Sequence, residues 1–282
     1  MIRAFLPKTL RRLILAAQIA IAATSLAIAD TLQRVVSMNL CTDQLAMLLA
    51  AEGQLLSVSH VAFDPLASAM ADQAALYVRN HGQAEHIFAM QPDLVLAGVY
   101  SDPYTVTLLR RLGVTVEQFP IEHDFATIRS NIARMGRILG REAAAARMIR
   151  QFDADLAALQ ADTDVRPSAL LHYANNYTTG AQSLAHEILT AAGLSNAAVE
   201  AGIDIAGAVP LERLVLLRPD LVISGQPYQG ASRAEEVLSH PALRALRAQR
   251  SNVTLTDADW VCGTPFVLRA VAHLTDIRKH MQ

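Results

Sequence analysis

The chain has 282 residues, with 26 acidic and 24 basic side chains and a formal net charge of −2. This length is enough for two lobes, each with a hydrophobic core of its own. A slightly acidic chain without a basic cluster argues against nucleic acid as a partner, because phosphate backbones are bound through clustered lysine and arginine.

The first 29 residues have the pattern of a secretory signal peptide. Four basic residues and no acidic one precede an apolar run, and Ala27 and Ala29 supply the small side chains of a cleavage site. The alternative, a membrane anchor, would need roughly 20 apolar residues, and this run is shorter. Cleavage after Ala29 would leave 253 residues starting at Asp30, and it would move the formal charge from −2 to −6. We expect the mature chain to be free in an exported compartment.

The first half of the mature chain alternates short apolar runs with helical patterns. Thr42 is expected to cap a helix that Gly53 ends, and Gly113 should end a helix that starts at residue 103. The runs predicted as buried strands cover residues 34–38, 54–60, 93–98 and 114–120. This alternation indicates a parallel α/β layer.

A long helical stretch follows and separates two halves of similar pattern. Asp124 opens it, Gly140 interrupts it, and residues 141–160 carry an apolar stripe over about 30 Å of helix. After this break a strand is predicted at 169–173, and Ser183 is expected to cap the next helix. We therefore predict an N-terminal lobe over 30–140, an inter-lobe helix over 141–162 and a C-terminal lobe over 163–282.

One stretch occurs twice, as EHIFAMQPDLVLAG at 85–98 and ERLVLLRPDLVISG at 212–225. The proline should end a short helix, the Leu-Val run should form a buried strand, and the glycine should let the chain turn. A glutamate in a helix's first turn gains up to about 1 kcal/mol from the helix dipole, which would explain one such residue. Two equivalent residues, Glu85 and Glu212, could instead dock onto arginines of a two-fold partner.

The two cysteines, Cys41 and Cys262, fit no zinc motif, since neither has a second cysteine or paired histidines nearby. In an oxidising compartment an even count permits one disulfide, and two separate thiols remain the alternative.

The segment RVVSMNLCTDQLAMLLA, the duplicated motif and the central helix resemble the helical-backbone (class III) substrate-binding proteins of bacterial ABC importers. The resemblance implies an α/β fold with two similar lobes, joined by a long rigid helix, and a ligand cleft between them. It implies a periplasmic monomer without a cofactor of its own that carries a small metal chelate to a permease dimer in the inner membrane. Glu85 and Glu212 fall on the positions that pair with arginines of the two permease subunits.

The resemblance also places the cleft at the loops that follow the strands, as is general for open parallel sheets. Those loops are residues 39–44, 60–65, 77–82, 99–104, 172–180 and 257–265. Aromatic residues with polar tips suit a large ligand, although each ring could simply pack its own loop. The ligand-binding residues that we predict on these loops are Arg79, His81, Tyr100, Tyr173, Asn176, Tyr177, Asp259 and Trp260.

The family serves iron–siderophores, haem and vitamin B12, and an iron–siderophore fits this sequence best. Arg79 stands where the vitamin B12 binder has a tryptophan, and it would suit an anionic ligand such as a ferric chelate or a propionate. The Asp259–Trp260 pair matches the vitamin B12 binder, so a corrinoid remains an alternative. Haem is another alternative, with His81 or Tyr77 as the iron ligand, although His81 could serve only to bond its loop.

Three other classes of function are weaker. No nucleophile elbow, zincin helix, P-loop or dinucleotide fingerprint supports an enzyme. A free zinc or manganese binder would need side chains such as His60, His81, His172 and Asp259 to converge, and their spacing does not predict a metal site. A purely structural exported protein would not need paired glutamates.

Because Cys41 and Cys262 fall on cleft loops of different lobes, a bond between them would restrict opening.

Overall fold

The computed structural model describes residues 33–160, 163–226 and 232–281. The signal peptide predicted for residues 1–29 lies outside the described residues. No helix in the described ranges combines the length and the hydropathy of a membrane span.

The first lobe is built on a sheet of five parallel strands in the order β3-β2-β1-β4-β5. Its strands are β1 Val35–Ser37, β2 Leu55–Ser59, β3 Val78–Asn80, β4 Leu94–Gly98 and β5 Thr115–Phe119. Its helices are α1 Leu40–Leu49, α2 Ala71–Ala74, α3 Ala84–Ala89, α4 Pro103–Arg111 and α5 Phe125–Ile138. The loop predicted at 77–82 thus contains a strand, β3, which the sequence hid because only its third residue is buried.

Helix α6, Glu142–Leu159, connects the two halves of the chain. Gly140 breaks the preceding helix with a φ of +66°. A Cβ on Gly136 would lie 2.4 Å from the Cβ of Ala145, so α5 and α6 approach each other as only a glycine allows. The buried side chains of α6, Ala145, Phe152 and Leu156, lie in a hydrophobic cluster that includes residues of both lobes.

The second lobe has a sheet of four parallel strands, β11-β10-β6-β8, and a separate antiparallel pair, β7-β9. Its strands are β6 Ser168–His172, β7 Tyr177–Thr179, β8 Ser195–Asn196, β9 Ala206–Ala208, β10 Leu221–Gly225 and β11 Ser251–Leu255. Its helices are α7 Leu184–Ala191, α8 Ala197–Glu200, α9 Leu211–Leu217, α10 Arg233–Glu236, α11 Pro241–Gln249 and α12 Val267–His280.

The start of α1 differs from the prediction. Asn39, not Thr42, is the N-cap, and its side chain accepts the backbone N–H groups of Cys41 and Thr42. The Thr42 hydroxyl donates instead to the backbone carbonyl of Asn39. The helix therefore begins three residues earlier than expected, which places Cys41 in its first turn.

The repeated motif forms the same unit twice, a short helix followed by the central strand β4 or β10. Asp93 accepts the backbone N–H of Arg34 at 2.7 Å, and Asp220 accepts that of Ser168 at 2.9 Å. The motif's glycine, however, does not make a turn through positive φ. At Gly98 a Cβ would lie 2.9 Å from the Asn39 side chain, so close approach of that cap is the physical reason for a glycine there.

Candidate ligand-binding cleft

The carboxyl ends of β2 and β3 rest on buried polar side chains. Asn80 is 2% exposed, and its Nδ2 donates to the carbonyl of Ser37 at 2.8 Å and to Ser57 Oγ at 2.9 Å. These bonds fix the backbone at the end of β3. The residues on either side, Arg79 and His81, are exposed, so the buried amide determines where both are displayed.

Arg79 and His81 each pack against a residue of the turn after β2. The Arg79 guanidinium lies 4.1 Å from the centre of the Phe63 ring, a cation–π arrangement. The His81 ring stacks on His60, with centroids 4.8 Å apart and 24° between the planes. The Arg79 guanidinium and the two imidazoles thus lie on two adjacent segments of the first lobe, β3 with its following residue and the turn after β2, and we call these three side chains the donor surface.

Tyr100 lies on the loop after β4 and is 84% exposed. Asp102 caps the helix that follows by accepting the N–H of Thr105 at 2.9 Å, and bonds from Thr105 keep the pKa of this carboxyl below its ordinary value. The cap fixes the end of the loop that carries Tyr100.

On the second lobe, Tyr173 packs against Trp260, with ring centroids 6.0 Å apart. Burial raises the pKa of Tyr173, so its phenol stays protonated. Trp260 is only 6% exposed and belongs to the hydrophobic core. Tyr177 is 45% exposed, and Asn176 bonds to the Nε2 of His172 at 3.0 Å.

Residues 256–266, which we call the cross-lobe segment, contact the first lobe at three points. The N–H of Ala258 donates to the carbonyl of Leu66 at 3.0 Å. A disulfide joins Cys262 to Cys41, with the two Cα atoms 5.0 Å apart. At the third point Gly263 lies against Glu122.

The contact between Gly263 and Glu122 is tight. A Cβ on Gly263 would lie 2.2 Å from the Cγ of Glu122, so any larger residue would push the glutamate away. Asn131 donates to the Glu122 carboxyl at 2.6 Å. Burial raises the pKa of Glu122, and the hydrogen bonds from Asn131 and the Gly263 backbone oppose that shift.

Asp43 ties the start of α1 to the end of β2. It is fully buried and accepts the Ser59 hydroxyl at 2.5 Å and the Ser59 N–H at 3.1 Å. Burial raises the pKa of Asp43 to about 7, although these bonds act in the opposite direction. The carboxyl stands beneath the turn that carries His60.

Asp259 is engaged within its own lobe. Its carboxylate accepts the Thr256 hydroxyl at 2.9 Å and lies 3.8 Å from the guanidinium of Arg269. Neither contact involves His60, His81 or His172, the residues that a free-metal site would have to bring to Asp259. In the described ranges no group of three or more His, Cys, Asp or Glu side chains is arranged to hold a metal ion.

Two further cavities differ in the parts of the fold that line them. One, of about 360 Å³, lies between the lobes and is lined by His123 and Asp124 from the first and by Gln182 and Glu187 from the second. A larger open groove, of about 870 Å³, is lined by residues of α1, α6 and the α12 region. Cavity volume alone therefore does not identify the ligand-binding cleft. We define the surface of the cleft by the loops at the carboxyl ends of the parallel strands.

Residues 35–258 match the sequence family described as periplasmic binding protein. The chain belongs to that family. The match covers every strand of the described sheets and ends at residue 258, before Cys262 and Gly263 of the cross-lobe segment. The class of binding protein expected from the duplicated motif is confirmed.

Relatives of this periplasmic binding protein differ in their ligands. A cobalamin-binding protein of Halobacterium salinarum is 32% identical over 148 residues, 50% of this chain and 40% of that protein. The ferric enterobactin-binding periplasmic protein of Escherichia coli O6:H1 is 29% identical over 129 residues, 43% of this chain and 40% of that protein. The chain thus matches about 40% of the length of these relatives.

A solved structure shares the fold over nearly the whole length. The apo form of a periplasmic haem-binding protein from Roseiflexus sp. RS-1 superposes with a TM-score of 0.73 and 21% identity, and covers 89% of this chain and 99% of its own. At that identity the similarity describes the fold, and the ligand has to be argued from the site.

The structure brings some of the predicted residues together and separates others. Arg79 and His81 share one surface, and Tyr173 and Trp260 share one cluster. Tyr100 stands apart on its own loop. The partners that sequence reasoning missed are Phe63, which lies on the predicted cleft loop 60–65 but was not singled out, and Glu122, whose only signal was its position just after β5.

Proposed function

We propose that this periplasmic binding protein captures a metal chelate, an iron–siderophore in the first place, in the cleft between its lobes. The observation that carries the proposal is the donor surface formed by Arg79, His60 and His81 at the ends of β2 and β3. A guanidinium with imidazoles beside it favours a ligand with negative oxygens, because charge-assisted hydrogen bonds are stronger than neutral ones. The ferric enterobactin-binding relative supports this ligand class.

Cobalamin is the second candidate, because the cobalamin-binding relative matches half of this chain. A corrinoid offers more apolar surface and less negative charge than a ferric chelate. Haem binding would use His81 or Tyr77 as the iron ligand, and the haem-binding neighbour shares the fold. Cobalamin depends less on the charge of Arg79 than an iron–siderophore does, whereas a propionate of haem would also suit this cation.

A ligand panel tests the proposal. We expect ferric siderophores to raise the thermal unfolding midpoint of the mature protein more than haemin or cobalamin do. Arg79→Gln should weaken ferric chelate binding at least tenfold, since it removes the cation from the donor surface. The matched control is Arg111→Gln, which removes another exposed arginine of the first lobe. Preference for cobalamin or haemin, or equal affinity in both variants, would contradict the assignment.

We further propose that Glu85 and Glu212 deliver the ligand-loaded protein to an ABC permease dimer. Each is exposed, and each is the second residue of a short helix, α3 or α9, in equivalent units of the two lobes. A partner with two-fold symmetry would meet the same carboxylate twice. Arginine is its natural complement, since the guanidinium binds a carboxylate through two parallel bonds.

The double variant Glu85→Ala/Glu212→Ala separates docking from binding. Uptake in cells should fall at least tenfold, whereas the affinity of the purified protein for its ligand should change less than twofold. Glu142→Ala/Glu200→Ala removes two other exposed helix glutamates and should leave uptake unchanged. Normal uptake by the first variant would exclude the docking role.

The same proposal includes export with cleavage after Ala29, so that the mature protein starts at Asp30 and acts as a monomer in the periplasm. Membership of the periplasmic binding protein family supports this location. N-terminal sequencing of protein released from the periplasm would give the cleavage site directly.

A further inference from the structure

A pocket of about 330 Å³ lies at the carboxyl ends of β10 and β11, and none of its described lining residues belongs to the donor surface of Arg79, His60 and His81 or to the Tyr173–Trp260 cluster. We call it the Arg247 pocket. Its size falls at the lower end of small-molecule sites. The described residues that line it include Ser224, Glu235, Ser239, Arg247, Asn252 and Thr254.

The sheet supplies polar side chains to this pocket in register. Ser224 of β10 pairs directly with Thr254 of β11, so both side chains stand on the same face. Asn252 lies two residues before Thr254 and therefore also shares that face. Three hydrogen-bonding groups are thus held by strands, which fix positions better than loops do.

Arg247 of α11 reaches this face with neutral partners. Its Nη1 donates to the carbonyl of Leu238 at 2.9 Å, and its Nη2 donates to Ser224 Oγ at 2.7 Å. Its Nε is buried and has no hydrogen-bond partner in the described part of the chain. Burial also lowers the pKa of Arg247, as expected for a cation in a site that does not neutralise it.

Neighbouring arginines of the same lobe have carboxylate partners. Arg250 lies 3.5 Å from Asp220, and Arg269 lies 3.8 Å from Asp259. Arg247 differs, since no carboxylate of the described residues lies within ion-pair distance of its guanidinium. A partly buried guanidinium without a counter-charge is costly, and its planar fork matches a carboxylate or a phosphate.

Glu235 limits which anions fit, because this acidic residue lines the same pocket. A bare anion would be repelled by this group. A molecule that carries a hydroxyl beside its oxyanion can give the anion to Arg247 and donate the hydroxyl to Glu235. Ser239 and Thr254 can serve the remaining oxygen atoms, since each hydroxyl both donates and accepts.

We propose that the Arg247 pocket is a second binding site, distinct from the donor surface of Arg79, His60 and His81, for a small oxyanion that carries a hydroxyl group. The oxyanion is a carboxylate or a phosphate held by Arg247 and Ser224. The hydroxyl donates to Glu235. This site does not depend on the identity of the chelate in the cleft.

Titration of the ¹⁵N-labelled mature protein with malate, inorganic phosphate and acetate, at constant ionic strength in chloride, tests the site. We expect saturable chemical-shift changes at the amides of Ser224, Ser239 and Thr254, with malate tighter than acetate. Arg247→Gln should weaken malate binding at least tenfold. Glu235→Gln should remove the preference of malate over acetate.

Arg110→Gln is the matched control. Arg110 lies on α4, just before β5, and its guanidinium donates to Val116 and Gln118 of that strand. Its loss should leave malate affinity unchanged. Equal affinity in the Arg247 and Arg110 variants, shifts no larger than those caused by chloride, or shifts confined to other residues would overturn the proposal. If Arg247→Gln does not fold, Arg247→Lys and Ser224→Ala must each weaken binding, and unchanged affinity in both would be equally decisive.

Discussion

Asp93 and Asp220 accept the N–H groups of Arg34 and Ser168 at the starts of the neighbouring strands β1 and β6. Backbone N–H groups at the start of a buried strand need hydrogen-bond partners. Each aspartate lies between the short helix and its own strand, β4 or β10, and its carboxylate accepts the N–H at the start of the adjacent strand in the sheet. The aspartate of the motif therefore joins two strands, whereas the sequence indicated only that it begins one.

The buried carboxyl of Asp43 should make the stability of the protein depend on pH. The pKa of this buried carboxyl is raised from 3.8 to about 7, so ionisation opposes folding. Its contribution to stability is complete below about pH 4, declines as the pH rises through about 7, and then stays constant.

Asp43→Asn should remove this dependence while it keeps an oxygen for Ser59. Between pH 4 and pH 8, the free energy of unfolding of the unsubstituted protein should fall relative to that of the variant by on the order of 2–4 kcal/mol. Urea unfolding at several pH values measures it. Asp72→Asn, at an exposed position of α2, is the control. Parallel pH profiles for Asp43→Asn and the unsubstituted protein would show that this carboxyl is ionised throughout.

At the scale of elements, the cross-lobe segment determines how the lobes meet. It contacts the loop after β2 through Leu66, the start of α1 through Cys41, and the loop after β5 through Glu122. These three points follow different strands of one sheet. The segment therefore resists rotation as well as separation of the lobes, which a single bond would not.

The disulfide should contribute measurably to stability. Its cysteines are 221 residues apart, and a long closed loop restricts the unfolded chain strongly. We expect Cys41→Ser/Cys262→Ser, or reduction, to lower the free energy of unfolding by about 2–5 kcal/mol. Urea unfolding with and without reductant measures this loss.

Reductant should have no effect on the double serine variant, which controls for other actions of the reagent. Thiol titration of unreduced, periplasm-derived protein should find no free thiol. Two free thiols per chain in that sample would show that the bond does not form in the cell.

At the scale of the whole molecule, the sequence was sufficient for the parallel α/β architecture, the duplication and the linking helix, because each depends on periodicity within one segment. The pairs Arg79–Phe63, His60–His81 and Glu122–Gly263 could not be predicted in this way. Each depends on where two loops come to rest, and the last joins residues 141 positions apart. Loop geometry is not encoded in a local pattern, so the site was less predictable than the fold.

The hydrophobic cluster that includes residues of both sheets and α6 explains why the lobes are not independent bodies. Phe152 and Leu156 on α6 are buried among side chains from either half. A large hinge motion would expose them to water, at about 25 cal/mol for each Å² of apolar surface. Ligand entry should therefore require a small change in separation rather than a wide opening.

The bond between Cys41 and Cys262 also changes the topology of the molecule. It makes residues 41–262 a covalent ring, with strand β1 on one tail and helix α12 on the other. One break in the backbone anywhere inside that ring opens it without releasing a fragment. A protease that nicks one loop thus leaves a molecule of undivided mass, and the elements on both sides of the nick keep their place in the fold.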